Sequence, residues 1–452
     1  MQKITTTGNA TLIAYDGQPI LSTDPWIGDE DPAYFGSWVL SHKIPAELKK
    51  DIANSKCLWF SHGHPDHLNP LSLERFRGKK ILLPDHVGSR IFKDLSGIGY
   101  DVTILPDREW VALTPNIRIQ CITTIIQDAV LLIDVCGVLF VNMNDAAVSR
   151  CSRYIRKISG NYNHSYVMGL AGYGDTNMIN FFAEDGSFIT PRAAKKPVVA
   201  DQLVNQMLLT GAKSVIPFSS FHQYQRSDSI WAEKYTTPME AYAEGLSSEV
   251  DYIPPFSSID CRDLQTESYN PEMLHVTVKD PNEFGDNWSE ELDASDKKLL
   301  EEYFVRKERI QDYFGFICFR VGGKDNTIKL RGKQTRGITF EVPRGSLMTS
   351  IRYRIFDDLL IGNFMKTTLH GVSSLYQGRG NFGINTAKYG DNGFVETEDE
   401  IRRYEMEYRR RAGFEFIVGL FEDKSKEFLT RFAGRDAAVY KLCSWVYRSY
   451  VR

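Results

Sequence analysis

The sequence has few of the features that mark membrane, disulfide-stabilised and nucleic-acid-binding proteins. No run approaches the ~18 consecutive apolar residues of a membrane-spanning helix, and the seven cysteines include no Cys-x-x-Cys pair. The 54 Lys and Arg residues nearly balance the 58 Asp and Glu residues, so no excess positive charge is available for nucleic acid. The N-terminus shows no charged head followed by an apolar core, so it predicts no secretory signal. We therefore expect a cytoplasmic protein with reduced thiols and with neither a membrane nor a nucleic-acid partner.

The 452 residues have the composition of a globular protein, with 42% hydrophobic and 25% charged residues. Strand-like and helix-like segments alternate through the first half, which predicts an α/β layered core. The pattern changes at Pro254-Pro255, where polar residues with little periodicity begin. We predict a catalytic domain over 1–253, a linker or wrapping loop over 254–298 and a C-terminal α+β domain over 299–452. Three roles are open for this last domain: covering the cleft, contacting substrate or forming a homo-oligomer.

Local patterns indicate where the first strands lie. Two β-prone runs flank Asp16-Gly17, which is a hairpin signal. The apolar run 56–61 predicts a buried strand that leads directly into His62. Further β-rich stretches at 117–126, 129–134 and 138–141 predict strands that end just before the sequence Asn142-Met-Asn-Asp145.

Histidine is scarce, and its distribution points to a metal. Of nine histidines, three fall in the run Ser61-His62-Gly-His64-Pro-Asp66-His67. Imidazole nitrogens and carboxylate oxygens are usual ligands of zinc, iron and manganese. In an extended turn, His62 and His64 point the same way toward one metal, while Asp66 and His67 reach a second at the start of a helix. Two divalent ions ~3.5–4 Å apart would hold a bridging hydroxide, a nucleophile at neutral pH. The alternative is a loop whose histidines cap a helix or fill polar gaps.

This motif resembles the His-x-His-x-Asp-His signature of the metallo-β-lactamase fold superfamily. The order of features also resembles that family: an early hairpin ending at Asp24, then the motif, then a strand followed by Asp145 at the metal-bridging position. The resemblance implies an αββα sandwich, with Asp66 and Asp145 as ligands that also orient the nucleophile or shuttle its proton. The Asn-x-Asn-Asp form resembles the metal domain of the CMP-N-acetylneuraminate hydroxylase branch, and more loosely the ascorbate-phosphate lactonase members. The alternative for Asp145 is a helix cap after a strand.

Two departures from the family pattern concern its remaining histidines. The family carries a histidine on the strand before the bridging aspartate, whereas 117–126 has none and Asp128 is the nearest candidate ligand. A carboxylate there would favour iron or manganese over zinc; the alternative is a turn cap. His222, which follows a late apolar run, is the candidate for the last family histidine. Its alternative role is contact with substrate.

The residues after His222 predict a pocket wall. Tyr224, Arg226 and Asp228 are the candidate substrate-binding residues, because Arg226 can bind a phosphate or carboxylate through two nitrogens. A surface salt bridge is the alternative for Arg226.

Three functions fit the sequence. The first is a metal-dependent hydrolase with two divalent ions, zinc or iron or manganese, acting on a small-molecule ester, lactone, amide or phosphoester. The second is a dinuclear iron oxygenase or oxidase, favoured by the absent histidine and the Asn-x-Asn-Asp form. Its electrons would come from elsewhere, because the sequence has no Cys-x-His paired with Cys-x-x-His of a Rieske centre. The third is a non-catalytic metal-binding scaffold.

Overall fold

The computed structural model describes residues 1–172, 179–219, 221–376 and 380–417. Within these ranges no helix combines the length and the apolar character needed to cross a bilayer. The strands before residue 299 are β1 (Gln2–Thr6), β2 (Leu12–Asp16), β3 (Gln18–Thr23), β4 (Trp38–Leu40), β5 (Cys57–Trp59), β6 (Lys80–Pro84), β7 (Asp101–Leu105), β8 (Trp110–Ala112), β9 (Ile117–Thr123), β10 (Ala129–Val135), β11 (Val138–Asn144), β12 (His164–Gly169), β13 (Phe181–Phe182), β14 (Ser214–Pro217), β15 (His222–Tyr224), β16 (Asp251–Tyr252), β17 (Ser257–Asp260) and β18 (Thr266–Ser268).

The remaining strands and the α-helices complete the architecture. The later strands are β19 (Phe314–Val321), β20 (Lys324–Lys329), β21 (Lys333–Glu341) and β22 (Lys366–His370). The helices are α1 (Ala46–Asn54), α2 (Pro70–Glu74), α3 (Arg90–Gly97), α4 (Ser152–Ser159), α5 (Ala200–Thr210), α6 (Ala294–Val305), α7 (Glu308–Tyr313), α8 (Arg344–Tyr353), α9 (Phe356–Ile361) and α10 (Glu398–Ala412). A π-helical segment, Ile384–Asn392, lies between α9 and α10.

Two large mixed sheets contain most of the strands before residue 299. The first has the order β18-β17-β1-β2-β3-β5-β6-β7, and the second has the order β16-β14-β12-β11-β10-β9-β8. The predicted hairpin at Asp16-Gly17 joins β2 to β3 as an antiparallel pair. The first sheet contains a parallel group, β3, β5, β6 and β7, and the second sheet contains another, β11, β12, β14 and β16. The carboxyl ends of the strands in each group therefore lie along the same side of their sheet.

The alternation of side chains along β10 explains how the sheets pack. Leu131 and Ile133 join the same buried cluster as Trp59 of the first sheet, so they face the space between the sheets. Val130 and Leu132 point the other way and pack with the helices that cover the second sheet. Because both faces are covered, these strands appear in the sequence as continuous apolar runs.

Helices cover the outer face of each sheet. Ile52 of α1 and Leu95 of α3 pack against Leu58 and Ile81 of the first sheet. Ile155 of α4 and Leu203 of α5 pack against the second sheet. The order of layers is helix, sheet, sheet, helix, which confirms the αββα sandwich predicted from the sequence.

A third sheet and the helices from α6 onward form the C-terminal part of the described chain, which begins at Ala294, five residues before the predicted boundary. This sheet has the order β13-β22-β21-β19-β20. Its core is rich in phenylalanine, with Phe356 of α9 packed 5.4 Å from Phe340 and 5.6 Å from Phe304 between ring centroids. Strand β13 comes from the first part of the chain and pairs in parallel with β22. The α+β character expected for this part is therefore present.

Residues 254–298 differ from the expected irregular linker. Strands β17 and β18 lie in this stretch and extend the first sheet, with β17 antiparallel to β1. The signal was missed because only alternate residues of β17 are buried and few of the residues are apolar. Such a polar sequence is typical of strands near the edge of a sheet.

Arg226 links the sandwich to the C-terminal part. Its guanidinium lies 2.8 Å from a carboxylate oxygen of Asp286 and 2.8 Å from one of Asp228. It also donates to the carbonyl of Phe35 at 2.8 Å. Asp286 in turn accepts the backbone N–H of Ser346 in α8 at 2.7 Å. All of the guanidinium is buried, so each of these partners offsets part of the cost of its desolvation.

We expect Arg226→Ala to destabilise the protein by about 3–5 kcal/mol, because it leaves a buried carboxylate without its partner. Arg331, whose ion pair with Asp312 is 60% and 61% exposed, is the control; its replacement by Ala should cost about 0–1 kcal/mol. Urea unfolding followed by tryptophan fluorescence measures both values. Similar losses in the two variants would contradict the account of this link.

Candidate metal centre

The histidine motif lies where two parallel strands of the first sheet end. Strand β5 leads into Ser61, and the adjacent β3 leads into Asp24. The backbone N–H of Ser61 donates to Oδ1 of Asp24 at 2.7 Å, which ties the two strand ends together. Asn9 donates to the backbone carbonyl of Asp66 at 2.6 Å and holds the far end of the motif. Such strand ends are the usual position of ligand sites in α/β sheets.

Asp145 approaches the motif from the second sheet. Two side-chain hydrogen bonds shape the end of β11: the Asn142 side chain accepts the N–H of Asn144 at 3.1 Å, and the Asn144 side chain accepts that of Asp145 at 2.6 Å. Asn144 has a φ of +40°, a left-handed conformation that asparagine tolerates better than most residues. Ser219, which follows β14, donates to Oδ1 of Asp145 at 2.6 Å. The Asn-x-Asn-Asp sequence thus aims the carboxylate across the gap between the sheets.

His62, His64 and Asp145 form one group of converging ligand atoms. One ligand atom from each lies within 4.8 Å of the others, and His62 Nε2 is 2.9 Å from His64 Nδ1. The outward nitrogens have other partners: His62 Nδ1 lies 2.8 Å from Ser61 Oγ, and His64 Nε2 lies 3.0 Å from Oδ2 of Asp357. The inward nitrogens are therefore the ones that can bind a metal.

His67, Asp66 and Asp145 form a second group. His67 Nε2 lies 3.5 Å from Oδ2 of Asp66 and 3.4 Å from Oδ2 of Asp145, while its Nδ1 is 3.1 Å from Asp24. Oδ1 of Asp66 accepts the hydroxyl of Tyr34 at 2.5 Å. His67 Nε2 and Asp66 Oδ2 are buried and make no hydrogen bond within the described chain. Buried polar atoms that face each other without a partner fit a metal ion between them.

The electrostatics of the cluster favour a cation. Burial opposes protonation of His67, but the carboxylates of Asp66, Asp145 and Asp24 outweigh it and raise the His67 pKa well above its usual value. Burial also favours a neutral Asp145, yet His67 lowers the Asp145 pKa to about 2. Burial, with His67 and His64, lowers the pKa of His62, which leaves its imidazole neutral and able to bind a metal.

Asp128 lies at the edge of the cluster, outside the three-residue group. Its Oδ1 is buried 3.9 Å from Nζ of Lys388, a residue of the π-helical segment. Burial raises the pKa of Asp128, and Lys388 acts in the opposite direction. The sequence offered Asp128 as the replacement for the missing strand histidine; in the structure a lysine ammonium faces it.

His222 lies on β15, and the rings of Trp38 and Tyr34 lie between it and Asp66. Its imidazole stacks on Trp38 with ring centroids 3.4 Å apart, and Trp38 contacts Tyr34, the hydroxyl partner of Asp66, at 4.5 Å. The structure does not include His222 in the group formed by His62, His64 and Asp145.

Tyr224, Arg226 and Asp228 do not form the expected pocket wall. Arg226 is fully buried in its ion pairs with Asp228 and Asp286. Tyr224 is 1% exposed, and its hydroxyl accepts a hydrogen bond from Asn363 at 2.9 Å. The polar density that suggested substrate contacts arises instead because a buried guanidinium needs carboxylate partners.

The sequence analysis missed the C-terminal residues beside the cluster. Asp357, in the first turn of α9, contacts His64, and Lys388 lies 3.4 Å from Asp357. A cavity of about 90 Å³ adjoins His64 between the two parts of the chain. Among the residues lining it are Gly63, His64, Arg90, Arg354, Asp357 and Asp358. No local motif marks these C-terminal residues, since they reach the site through tertiary packing alone.

We expect a divalent metal to stabilise the protein, because the folded state alone brings these ligands together. A metal present at 100 times its Kd should add about 2.7 kcal/mol. Thermal unfolding with Zn²⁺ or Fe²⁺, compared with chelator, measures the effect. Asp145→Ala should abolish it, and replacing the exposed His275 by Ala should not. Equal stabilisation of wild type and Asp145→Ala would contradict the assignment.

Comparison of the chain with known proteins identifies proteins of similar sequence. No family model matches the chain. The chain is 21% identical over 316 residues to the cytidine monophosphate-N-acetylneuraminic acid hydroxylase of Pongo pygmaeus, covering 66% of this chain and 53% of that protein. The match covers 66% of this chain, but it spans only about half the length of these curated relatives.

Solved structures give weaker likenesses. An isothiocyanate hydrolase from Delia radicum gut bacteria has a TM-score of 0.39 and 11% identity, covering 57% of this chain and 98% of its own. The diiron β-hydroxylase CmlA from Streptomyces venezuelae has a TM-score of 0.34 and 12% identity, covering 59% and 54%. Neither score is high enough to support an argument. The motif, the αββα layers and the curated relatives together confirm the resemblance to the metallo-β-lactamase fold and, within it, to the CMP-N-acetylneuraminic acid hydroxylases.

Proposed function

We propose that this chain is a metal-dependent hydrolase of small molecules with two divalent ions in its cluster. The observation that carries the proposal is the position of Asp145 between two donor groups. One of its carboxylate oxygens belongs to the group with His62 and His64, and Oδ2 lies 3.4 Å from Nε2 of His67. A carboxylate that faces two sets of donors suits a ligand shared by two ions.

The donor set fits zinc, iron and manganese. Three imidazoles and the carboxylates of Asp66 and Asp145 offer both nitrogen and oxygen ligands. Two such ions would supply a water-derived nucleophile at neutral pH and would polarise the bond to be cleaved. Esters, lactones, amides and phosphoesters are the substrate classes that this chemistry serves.

The surrounding residues hold the donors in place before any ion binds. Tyr34 occupies Oδ1 of Asp66 and leaves Oδ2 facing His67. Oδ2 of Asp24 lies 3.1 Å from Nδ1 of His67, so Nε2 is left facing the cluster. Because these partners are buried, the donor atoms keep their orientation with little reorganisation.

The cavity beside His64 supports a small polar substrate. Its lining includes two arginines, Arg90 and Arg354, and the carboxyl group of Asp358. Burial raises the pKa of Asp358 to about 7. A carboxyl group with such a pKa can give or accept a proton near neutral pH, which suits a general acid or base.

A dinuclear iron hydroxylase is the second candidate. The curated relatives that match across 66% of this chain are named as hydroxylases, which favours this function. The lack of a histidine on β9 leaves the centre richer in oxygen ligands, and such a centre suits iron. Electrons would come from a separate carrier.

Elemental analysis of the purified chain, together with two assays, separates the candidates. Zinc in the protein with turnover of chromogenic esters or phosphoesters supports the hydrolase. Iron with a visible absorption band and substrate-dependent oxygen uptake supports the hydroxylase. A protein that binds metal but is inactive in both assays would support the scaffold, and a protein that binds no metal would contradict all three.

We expect the metal stoichiometry to follow the sharing of Asp145. His62→Ala should remove about one equivalent, because it affects one donor group, whereas Asp145→Ala should remove both. His164, an exposed residue at the start of β12, is the control, and its replacement by Ala should leave the metal content unchanged. The same loss in His62→Ala and Asp145→Ala would contradict a shared carboxylate.

A further inference from the structure

We propose that the C-terminal part completes the metal centre, through a charged chain Asp128–Lys388–Asp357 in which Asp357 positions His64. The inference rests on the proposed metal centre and extends it to residues beyond the sandwich. Asp357 lies on α9 and Lys388 on the π-helical segment, whereas His64 follows β5 of the first sheet and Asp128 precedes β10 of the second.

The contact between Asp357 and His64 sets the orientation of the imidazole. Oδ2 of Asp357 lies 3.0 Å from His64 Nε2, while His64 Nδ1 is 2.9 Å from Nε2 of His62. A proton on Nε2 donated to Asp357 leaves the lone pair of Nδ1 directed inward, toward a metal. A carboxylate bound to the outer nitrogen of a ligating histidine fixes its tautomer and raises its basicity.

Lys388 holds Asp357 in place for this contact. Its ammonium lies 3.4 Å from Oδ2 of Asp357 and 3.9 Å from Oδ1 of Asp128, and its side chain is 14% exposed. Burial disfavours the charge of Lys388, but the two carboxylates outweigh it and raise the Lys388 pKa. The ammonium therefore bridges carboxylates from two parts of the chain.

A buried carboxylate in the C-terminal core fixes Lys388 and Asp357 relative to each other. Asp391, three residues after Lys388, accepts the hydroxyl of Tyr303 at 2.7 and 2.8 Å and lies 3.6 Å from Nζ of Lys307. It also accepts the N–H of Phe356, the residue before Asp357, at 3.3 Å. The π-helical segment and α9 thus share one anchor, and π-helical turns are often found at functional sites.

This arrangement also assigns Asp128 a role other than that of a ligand. Its buried Oδ1 faces the ammonium of Lys388, and it lies outside the group formed by His62, His64 and Asp145. Asp128, the candidate to replace the missing strand histidine, therefore anchors the series of charged side chains that reaches His64. We expect Asp128→Asn to retain the full metal stoichiometry.

The test is the metal affinity of the full-length Asp357→Asn variant. Competition with a chromogenic chelator for Zn²⁺ should show affinity weakened by about 10–100-fold, with the same stoichiometry at saturation. The visible spectrum of the Co²⁺-loaded variant should also shift, because the ligand field depends on the His64 imidazole. Asp312→Asn is the control and should keep the wild-type affinity: this carboxylate of α7 also pairs with a cation, Arg331, but it is 61% exposed.

The outcomes separate this inference from the proposed function. Wild-type affinity and an unchanged Co²⁺ spectrum in Asp357→Asn would overturn the inference, as would equal losses in Asp357→Asn and Asp312→Asn. Loss of one equivalent in Asp128→Asn would make Asp128 a ligand and would also overturn it. Wild-type protein that binds no metal would instead remove the proposed function. If Asp357→Asn unfolds, Asp357→Ser serves as the second variant, with the same expected loss of affinity.

Discussion

Buried carboxylates need a positive charge beside them, and this constraint organises the protein at three places. In the cluster, Asp24, Asp66 and Asp145 surround His67, which explains why its pKa is raised despite burial. An imidazolium satisfies this need only in part, since Asp66 Oδ2 keeps no hydrogen-bond partner in the described chain. A metal ion would supply the remaining charge, and the inward nitrogens of the histidines would bind it.

The same constraint joins the two parts of the chain. Arg226 brings together Asp228 and Asp286, and so connects the sandwich with α8. Lys388 brings together Asp128 and Asp357 beside the cluster. Each cation lies between carboxylates that are distant in sequence, and each would be costly to bury alone. The C-terminal part is thus connected to the sandwich by charge as well as by apolar packing.

Local sequence signals predicted much of the fold. The hairpin at Asp16-Gly17, the strand before His62 and strands β9 to β11 follow from turn residues and apolar runs that span only a few positions. The motif 62–67 was found because its spacing marks it, and Asp145 was found because its place after a strand matches the metal-bridging position of the family that the motif resembles. Asp357, Lys388 and Asp286 were not found, since they reach His64, Asp128 and Arg226 through contacts between residues 60 or more positions apart. Strand β17 was missed because it lies next to the edge strand of its sheet and only alternate residues of it are buried.

The most direct test of this account is a crystal structure of the full chain with anomalous diffraction measured at the zinc and iron edges. The account predicts two anomalous peaks about 3.5–4 Å apart, with Asp145 between them, Nδ1 of His64 on one of them and Asp357 on the opposite nitrogen of that imidazole. A single peak, no peak, or a peak bound by Asp128 with His64 turned away would contradict it.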